Sequence, residues 1–80
     1  MFFVYILYSK SRERFYVGMT QDIEQRLQSH NKAQVQSTKA FLPWELLHIE
    51  QYQTRTLARE REKYLKSAAG RRWRKNNLGM

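Results

Sequence analysis

Residues 2–17 read Phe2-Phe3-Val4-Tyr5-Ile6-Leu7-Tyr8-Ser9-Lys10-Ser11-Arg12-Glu13-Arg14-Phe15-Tyr16-Val17, and Gly18 follows. The first seven are β-branched, aromatic or aliphatic without alternation, which is how a central strand apolar on both faces reads. Residues 10–14 are polar and turn-like, and 15–17 resume the strand character until Gly18. A hairpin is predicted. In it Tyr5 and Tyr16 can lie side by side, because cross-strand neighbours on one face come within contact.

A helix is expected next. Thr20 is placed to cap it, with Asp22 and Glu24 in the first turn, where the helix dipole favours anions. Its stripe is Ile23, Arg26, Leu27 and His30, spaced i, i+3, i+4, i+7, and ends near His30. Half of that core-facing stripe is cationic or titratable, whereas a purely structural helix would carry Leu or Ala there. Arg26 and His30 are therefore expected where the helix meets the sheet, beside the two tyrosines. Two phenols, a guanidinium and an imidazole within 26 residues suit work on a phosphate ester.

The remaining chain supplies a polar loop over 31–42, read as an ordered surface loop able to hug a ligand, then a third strand over 44–52. Thr54 or Thr56 caps a second helix reaching about residue 67, with Leu57, Arg61, Tyr64, Leu65 and Ala68 on one face, Ala58 at its margin, Glu62 at one edge and Glu60 at the other. Ala69-Gly70 is expected to end it, leaving 71–77 as a short basic helix or frayed tail. The order β-β-α-β-α gives an α+β sandwich: a three-stranded, mainly antiparallel sheet with helices packed on it.

Composition sets the bounds. Eighty residues make one domain, expected over 1–80 with a core of about 2–68 and a basic tail over 69–80. The chain has no cysteine, so neither disulfides nor thiolate metal sites are available. The apolar run at residues 2–8 is too short for a signal peptide or membrane span, and a cytoplasmic protein is the expectation. The net charge of +8 is one-ended: residues 55–80 hold nine Lys/Arg against Glu60 and Glu62. One-ended basicity is the footprint of a polyanion partner, so nucleic acid is expected and a membrane surface is not.

The ordered set Tyr5 in Val-Tyr-Ile, Tyr16 in Tyr-Val-Gly, Arg26, His30-Asn31, and Glu62 with Lys66 resembles the GIY-YIG nuclease domain. The likeness is to small stand-alone bacterial members, related to the nuclease domain of the excision-repair incision subunit. Val4 stands where the family name has its first glycine. The resemblance implies a metal-dependent endonuclease that hydrolyses phosphodiester bonds in DNA with little intrinsic sequence specificity, in repair or processing, acting alone or directed by a partner protein. The alternatives are a nucleic-acid-binding module on the same fold that cleaves weakly or not at all, and a small protein docking ribosomal RNA.

Carried over residue by residue, the resemblance makes Tyr5, Tyr16, Arg26, His30 and Glu62 the catalytic set, with Glu62 holding one Mg²⁺ or Mn²⁺ ion. A hard oxygen ligand on an ion that keeps its waters needs no His/Cys cluster. Tyr16 or Tyr5 would orient or deprotonate the attacking water, with Tyr16 favoured because Gly18 beside it lets backbone approach a ligand. Arg26 would neutralise the phosphate, and His30 would orient a tyrosine or relay a proton. Lys39, Arg59, Lys63, Lys66, Arg71, Arg72, Arg74 and Lys75 would hold the flanking backbone. Asn76 or Asn77 is a candidate for the family's late asparagine. The residues alone leave other roles open: core tyrosines, a hydrogen-bonded core histidine, Arg26 paired with Glu24 or Glu50, and a surface pair of Glu62 with Lys66, rivalled by Glu60 with Lys63.

Overall fold

The computed structural model describes residues 1–35 and 38–79, so two positions of the expected loop over 31–42, residues 36 and 37, lie outside the described residues. Strand β1 (Phe2–Ser9) is central, flanked by β2 (Arg14–Thr20) and β3 (Glu45–Tyr52) in the order β2-β1-β3, with both pairings antiparallel. Its unbroken apolar run is what a strand with two partners and two covered faces requires. Val4, Tyr5, Ile6 and Leu7 are all essentially fully buried. The expected α+β sandwich is the observed architecture.

Alternation divides the core into two layers. Val4, Ile6 and Val17 point to one face, where Ala58 and Leu65 of helix α2 (Arg55–Lys66) meet them. Tyr5, Leu7 and Trp44 point to the other, under Ile23 and Leu27 of helix α1 (Ile23–Asn31). Val4, at the position of the family's first glycine, is a fully buried member of the α2 layer.

The hairpin register places Tyr5 opposite Gly18 and Tyr16 opposite Leu7. The two tyrosines thus share a face as diagonal neighbours, with ring centroids 6.2 Å apart, rather than as a direct pair. At the start of α1 the cap is Asp22, whose side chain accepts from the Gln25 amide at 3.1 Å. Thr20, expected to cap, lies one step earlier and accepts from the Asp22 amide instead. Two good acceptors stand two residues apart here, and the turn made by the first delivers the second to the helix end.

The buried face of α2 differs from expectation. It is Ala58, Glu62 and Leu65, while Leu57 and Tyr64 are 50% and 41% exposed and Ala68 is exposed too. At the margin of that face Arg61 donates twice to Glu50 on β3, Nε to Oε1 at 2.8 Å and Nη2 to Oε2 at 3.1 Å, and its guanidinium lies over Trp73 at 4.7 Å. That bidentate pair ties α2 to β3. Thr54 caps α2, as one of the two expected caps.

Ala69-Gly70 does not break the chain into a tail. The break falls at Ser67, which ends α2 and, with its hydroxyl accepting from the Gly70 amide, caps an eleven-residue helix α3 (Ala68–Leu78). Gly70 is buried against the backbone of Tyr64 and Leu65, where a Cβ would collide, so its role is close helix packing. Trp73 and Leu78 pack on the α2 layer, which extends the core beyond the expected limit near residue 68.

Burial acts to raise the Glu50 carboxyl, but hydrogen bonds from Arg61, Tyr52 and His48 outweigh it and bring the pKa from 4.5 down to about 2. A depressed carboxylate pKa adds stability that is complete above about pH 4.5 and is lost as pH falls through 2. Chemical denaturation as a function of pH should show this limb, worth up to about 3 kcal/mol. Glu50→Gln should lower stability at neutral pH and flatten the profile between pH 4.5 and 2; an unchanged acid limb would contradict the clamp.

Candidate active site

The sheet face under α1 carries a chain of hydrogen bonds that starts in the loop. Asn31 holds the backbone of Trp44 from both sides, accepting from its amide at 2.8 Å and donating to its carbonyl at 3.1 Å. The Trp44 indole in turn donates to the Thr38 carbonyl at 2.9 Å. Thr38 is thereby seated, 1% exposed, under His30. Its hydroxyl donates to the Val35 carbonyl at 3.3 Å and so presents an oxygen lone pair to His30 Nδ1 at 2.8 Å.

This pattern assigns the imidazole tautomer. Nδ1 carries the proton and donates to Thr38, which leaves Nε2 bare to accept from the Tyr5 hydroxyl at 3.1 Å. Arg26 Nε donates to the same Tyr5 oxygen at 3.4 Å. Burial, with repulsion from Arg26, lowers the His30 pKa from 6.5 to about 4, so the ring is neutral at pH 7. Burial likewise pushes Tyr5 from 10 up to about 12, against the pull of the Arg26 hydrogen bond. Tyr5 is thus a neutral phenol whose proton is committed to His30.

Tyr5 also occupies the space that Gly18 leaves. A Cβ on Gly18 would stand 2.5 Å from the Tyr5 hydroxyl oxygen and 2.9 Å from a Tyr16 ring carbon. The expectation that Gly18 admits a ligand is therefore corrected: it admits the Tyr5 phenol. Tyr16 is only partly buried, its ring edge-on to His30 at a centroid distance of 4.8 Å. Arg26 is raised chiefly by its bond to Tyr5 and more weakly by Tyr16, and no carboxylate pairs with it among the described residues. Glu50, one of its candidate partners, is taken by Arg61.

Glu62 projects from the buried stripe of α2, only 7% exposed, with Lys66 at 3.4 Å and Arg59 at 3.6 Å. Its charge is felt at Tyr5, where it helps raise the phenol's pKa. Glu60, indistinguishable from it by residue type alone, is exposed on the solvent side. No group of three His, Cys, Asp or Glu residues is placed to enclose a metal among the described residues. A lone carboxylate fits only an ion that keeps most of its waters.

Tyr16 and Lys66 also line a groove of about 460 Å³ with Arg14, Phe15, Arg71 and Arg74. Of the expected backbone-binding cations, Lys66, Arg71 and Arg74 are thus gathered beside the site, and Arg59 reaches it through Glu62. Lys63 lies with Arg55 and Arg59 along another part of α2, Lys39 sits exposed on a 3-10 turn (Lys39–Phe41), and Arg72 and Lys75 are exposed on α3. Asn76 and Asn77 are exposed on the same helix, and Asn77 donates to the Trp73 carbonyl, so neither is brought to the tyrosines. Thr38 is the site residue that sequence reasoning missed. It stands in a polar loop without periodicity, and only the pairing of Asn31 with Trp44 across that loop hints at its burial.

Comparison with known proteins agrees with this geometry. The model of the GIY-YIG catalytic domain matches residues 1–77, and the chain belongs to that nuclease family. It is similar to a UPF0213 protein of Haloquadratum walsbyi, 38% identical over 66 residues that span 81% of this chain and 73% of the relative. A UPF0213 protein of Natronomonas pharaonis is 33% identical over 66 residues, 81% of this chain and 76% of that one. In fold it resembles the solution structure of a UPF0213 protein from Bacillus halodurans, with a TM-score of 0.59 and 24% identity over 99% of this chain and 88% of the other.

Gly18→Ala should force the Tyr5 phenol off His30 and Arg26, costing about 1–3 kcal/mol in chemical denaturation, as overpacking of a filled site does. A substitution that leaves stability unchanged would show that the phenol is not held over the glycine.

Proposed function

We propose that this protein is a divalent-metal-dependent endonuclease acting on DNA. The observation that carries the reading is a set of groups: Arg26, without a carboxylate partner among the described residues and bonded to Tyr5, which is itself bonded to His30; a partly accessible Tyr16; and a buried Glu62 whose partner Lys66 lines a cationic groove with Tyr16. Binding alone has no use for a neutral buried histidine bonded to a phenol, nor for a lone carboxylate among cations.

Glu62 would hold one Mg²⁺ or Mn²⁺ ion, which when bound supplies Lewis-acid polarisation of the phosphate and stabilisation of the leaving oxygen. Tyr16 is the tyrosine that meets water, because Tyr5 is 1% exposed and its hydroxyl is engaged on both sides. Tyr16 orients the attacking water, and as the phenolate, its own proton given up to solvent, it takes the proton that the water loses. Arg26 neutralises the charge growing on the phosphate oxygens. Its guanidinium is held for that task by Tyr5, and Tyr5 by the neutral His30, so no reorganisation is needed as charge develops. Lys66 and Arg59, which pair with Glu62 here, would serve as partners for the flanking phosphates when the carboxylate holds the ion.

Few side chains are available to read base edges, so the substrate is defined by backbone and structure rather than sequence, as in DNA repair or processing. No helix of the described residues is long and apolar enough to cross a membrane. The reading places the substrate in the cytoplasm, met alone or through a targeting partner.

A supercoiled-plasmid nicking assay with Mg²⁺ or Mn²⁺ tests the reading. Wild type should nick, Glu62→Gln should fall to background, Arg26→Ala should lose about a hundredfold or more, and Glu60→Gln should retain activity. Tyr16→Phe should abolish nicking while stability is kept. If wild type and Glu62→Gln both bind DNA and neither nicks it, the enzyme reading fails.

A further inference from the structure

The groove beside Tyr16 has an electrostatic peculiarity that the reaction does not use. Its walls come from three elements: Arg14, Phe15 and Tyr16 of β2, Lys66 of α2, and Arg71 and Arg74 of α3. Four cations meet there, with Glu13 the one carboxylate among the lining residues. Among the described residues none of Arg14, Arg71 or Arg74 is paired with a carboxylate, and Lys66 is already engaged by Glu62.

Arg74 is the most constrained of them. Its guanidinium lies over the Phe15 ring at 3.9 Å, and its Nε is buried without a hydrogen-bond partner. Burial and the like charge of Arg71 both lower its pKa. Guanidinium groups gathered at a concave surface without carboxylate partners among the described residues, one of them partly desolvated, are left short of an anion.

The position of the groove says which anion. It runs along β2, an edge strand of the sheet, and so joins the face that carries Tyr16 to the face that carries α2 and α3. Lys66 belongs to both places, bonding Glu62 and lining the groove. A strand whose phosphate lay between Arg26 and Glu62 would enter this groove with its next backbone units.

We propose that the groove between β2 and α3 seats a backbone phosphate neighbouring the one cleaved, with Arg71 and Arg74 as its ligands. This rests on the nuclease reading for the location of the cleaved phosphate and adds a strand-holding subsite to it. Arg71 and Arg74 then differ from Arg72 and Lys75, which sit on the same helix, i and i+3 apart in the same way, but do not line the groove.

The test is fluorescence anisotropy with a short labelled oligothymidylate, in chelator so that no cleavage is required. The oligonucleotide is used unmodified and with a neutral methylphosphonate placed at one linkage at a time. The double variant Arg71→Gln/Arg74→Gln should bind about tenfold more weakly or worse, as loss of charge-assisted bidentate contacts does. Arg72→Gln/Lys75→Gln, with the same change in net charge, should lose no more than about threefold, because charges outside the groove act on the strand only through screened solvent.

Since Arg74 also packs on Phe15, the exposed Arg71→Gln alone serves as the variant that leaves the fold intact, checked by thermal melting. One neutral linkage should weaken wild type by about fivefold or more, yet cost Arg71→Gln little further. Equal losses in the two double variants, or no linkage whose effect depends on Arg71, would overturn the subsite. A protein that shows this coupling but never nicks DNA contradicts the nuclease reading alone, and one that nicks without it contradicts the subsite alone.

Discussion

The hydrogen bond from the Tyr5 hydroxyl to His30 Nε2 organises this molecule's candidate site, and it exists only because of constraints on both sides of it. Gly18 clears the space for the phenol, and Thr38 holds the imidazole in the tautomer that can accept. Burial keeps the acceptor neutral and the donor protonated. Arg26 is then fixed by the same oxygen, with its charge uncompensated by any carboxylate among the described residues. An uncompensated guanidinium next to a part-exposed phenol is what the rest of the site is arranged around.

On the far side of the sheet a second polar cluster performs the complementary task. Glu50 collects Arg61, Tyr52 and His48, and Arg61 stacks on Trp73, so that one carboxylate ties β3, α2 and α3 together. Glu62, next to Arg61 in the chain, lies on the buried stripe of the same helix, and its charge contributes to raising the Tyr5 pKa. One carboxylate thus ties the helices to the sheet, while Glu62 pairs with Lys66 and Arg59. The free cations of α3 complete the picture, because the helix that Trp73 anchors is also the one that lines the groove.

Much of this was legible in the sequence. The unbroken apolar run at residues 2–8 gave a central strand, and the mixed stripe Ile23, Arg26, Leu27, His30 placed a cation and an imidazole on a packed face. Both are local patterns whose meaning does not depend on distant residues. What was not legible depends on distance. The choice of Asp22 over Thr20 as cap turns on the path of the preceding turn. The commitment of Arg61 turns on Glu50, eleven residues before it in the chain and on another element. Thr38 carries no periodic signal at all, and α3 was obscured because Gly70, a usual breaker, here serves close packing. Val4 and Gly18 show the same point from the other direction. A departure from the family pattern is absorbed by a β-branched core position, while a retained glycine turns out to accommodate a side chain of the protein itself.

The central claim is that His30 is a neutral, Nδ1-protonated acceptor for the Tyr5 proton. Nitrogen-15 NMR of the histidine side chains across a pH titration tests it most directly. The account predicts that one of the two imidazoles shows a bare Nε2 and a protonated Nδ1 at neutral pH and stays uncharged until about pH 4. A His30 that titrates near 6.5, or that carries its proton on Nε2, would contradict it.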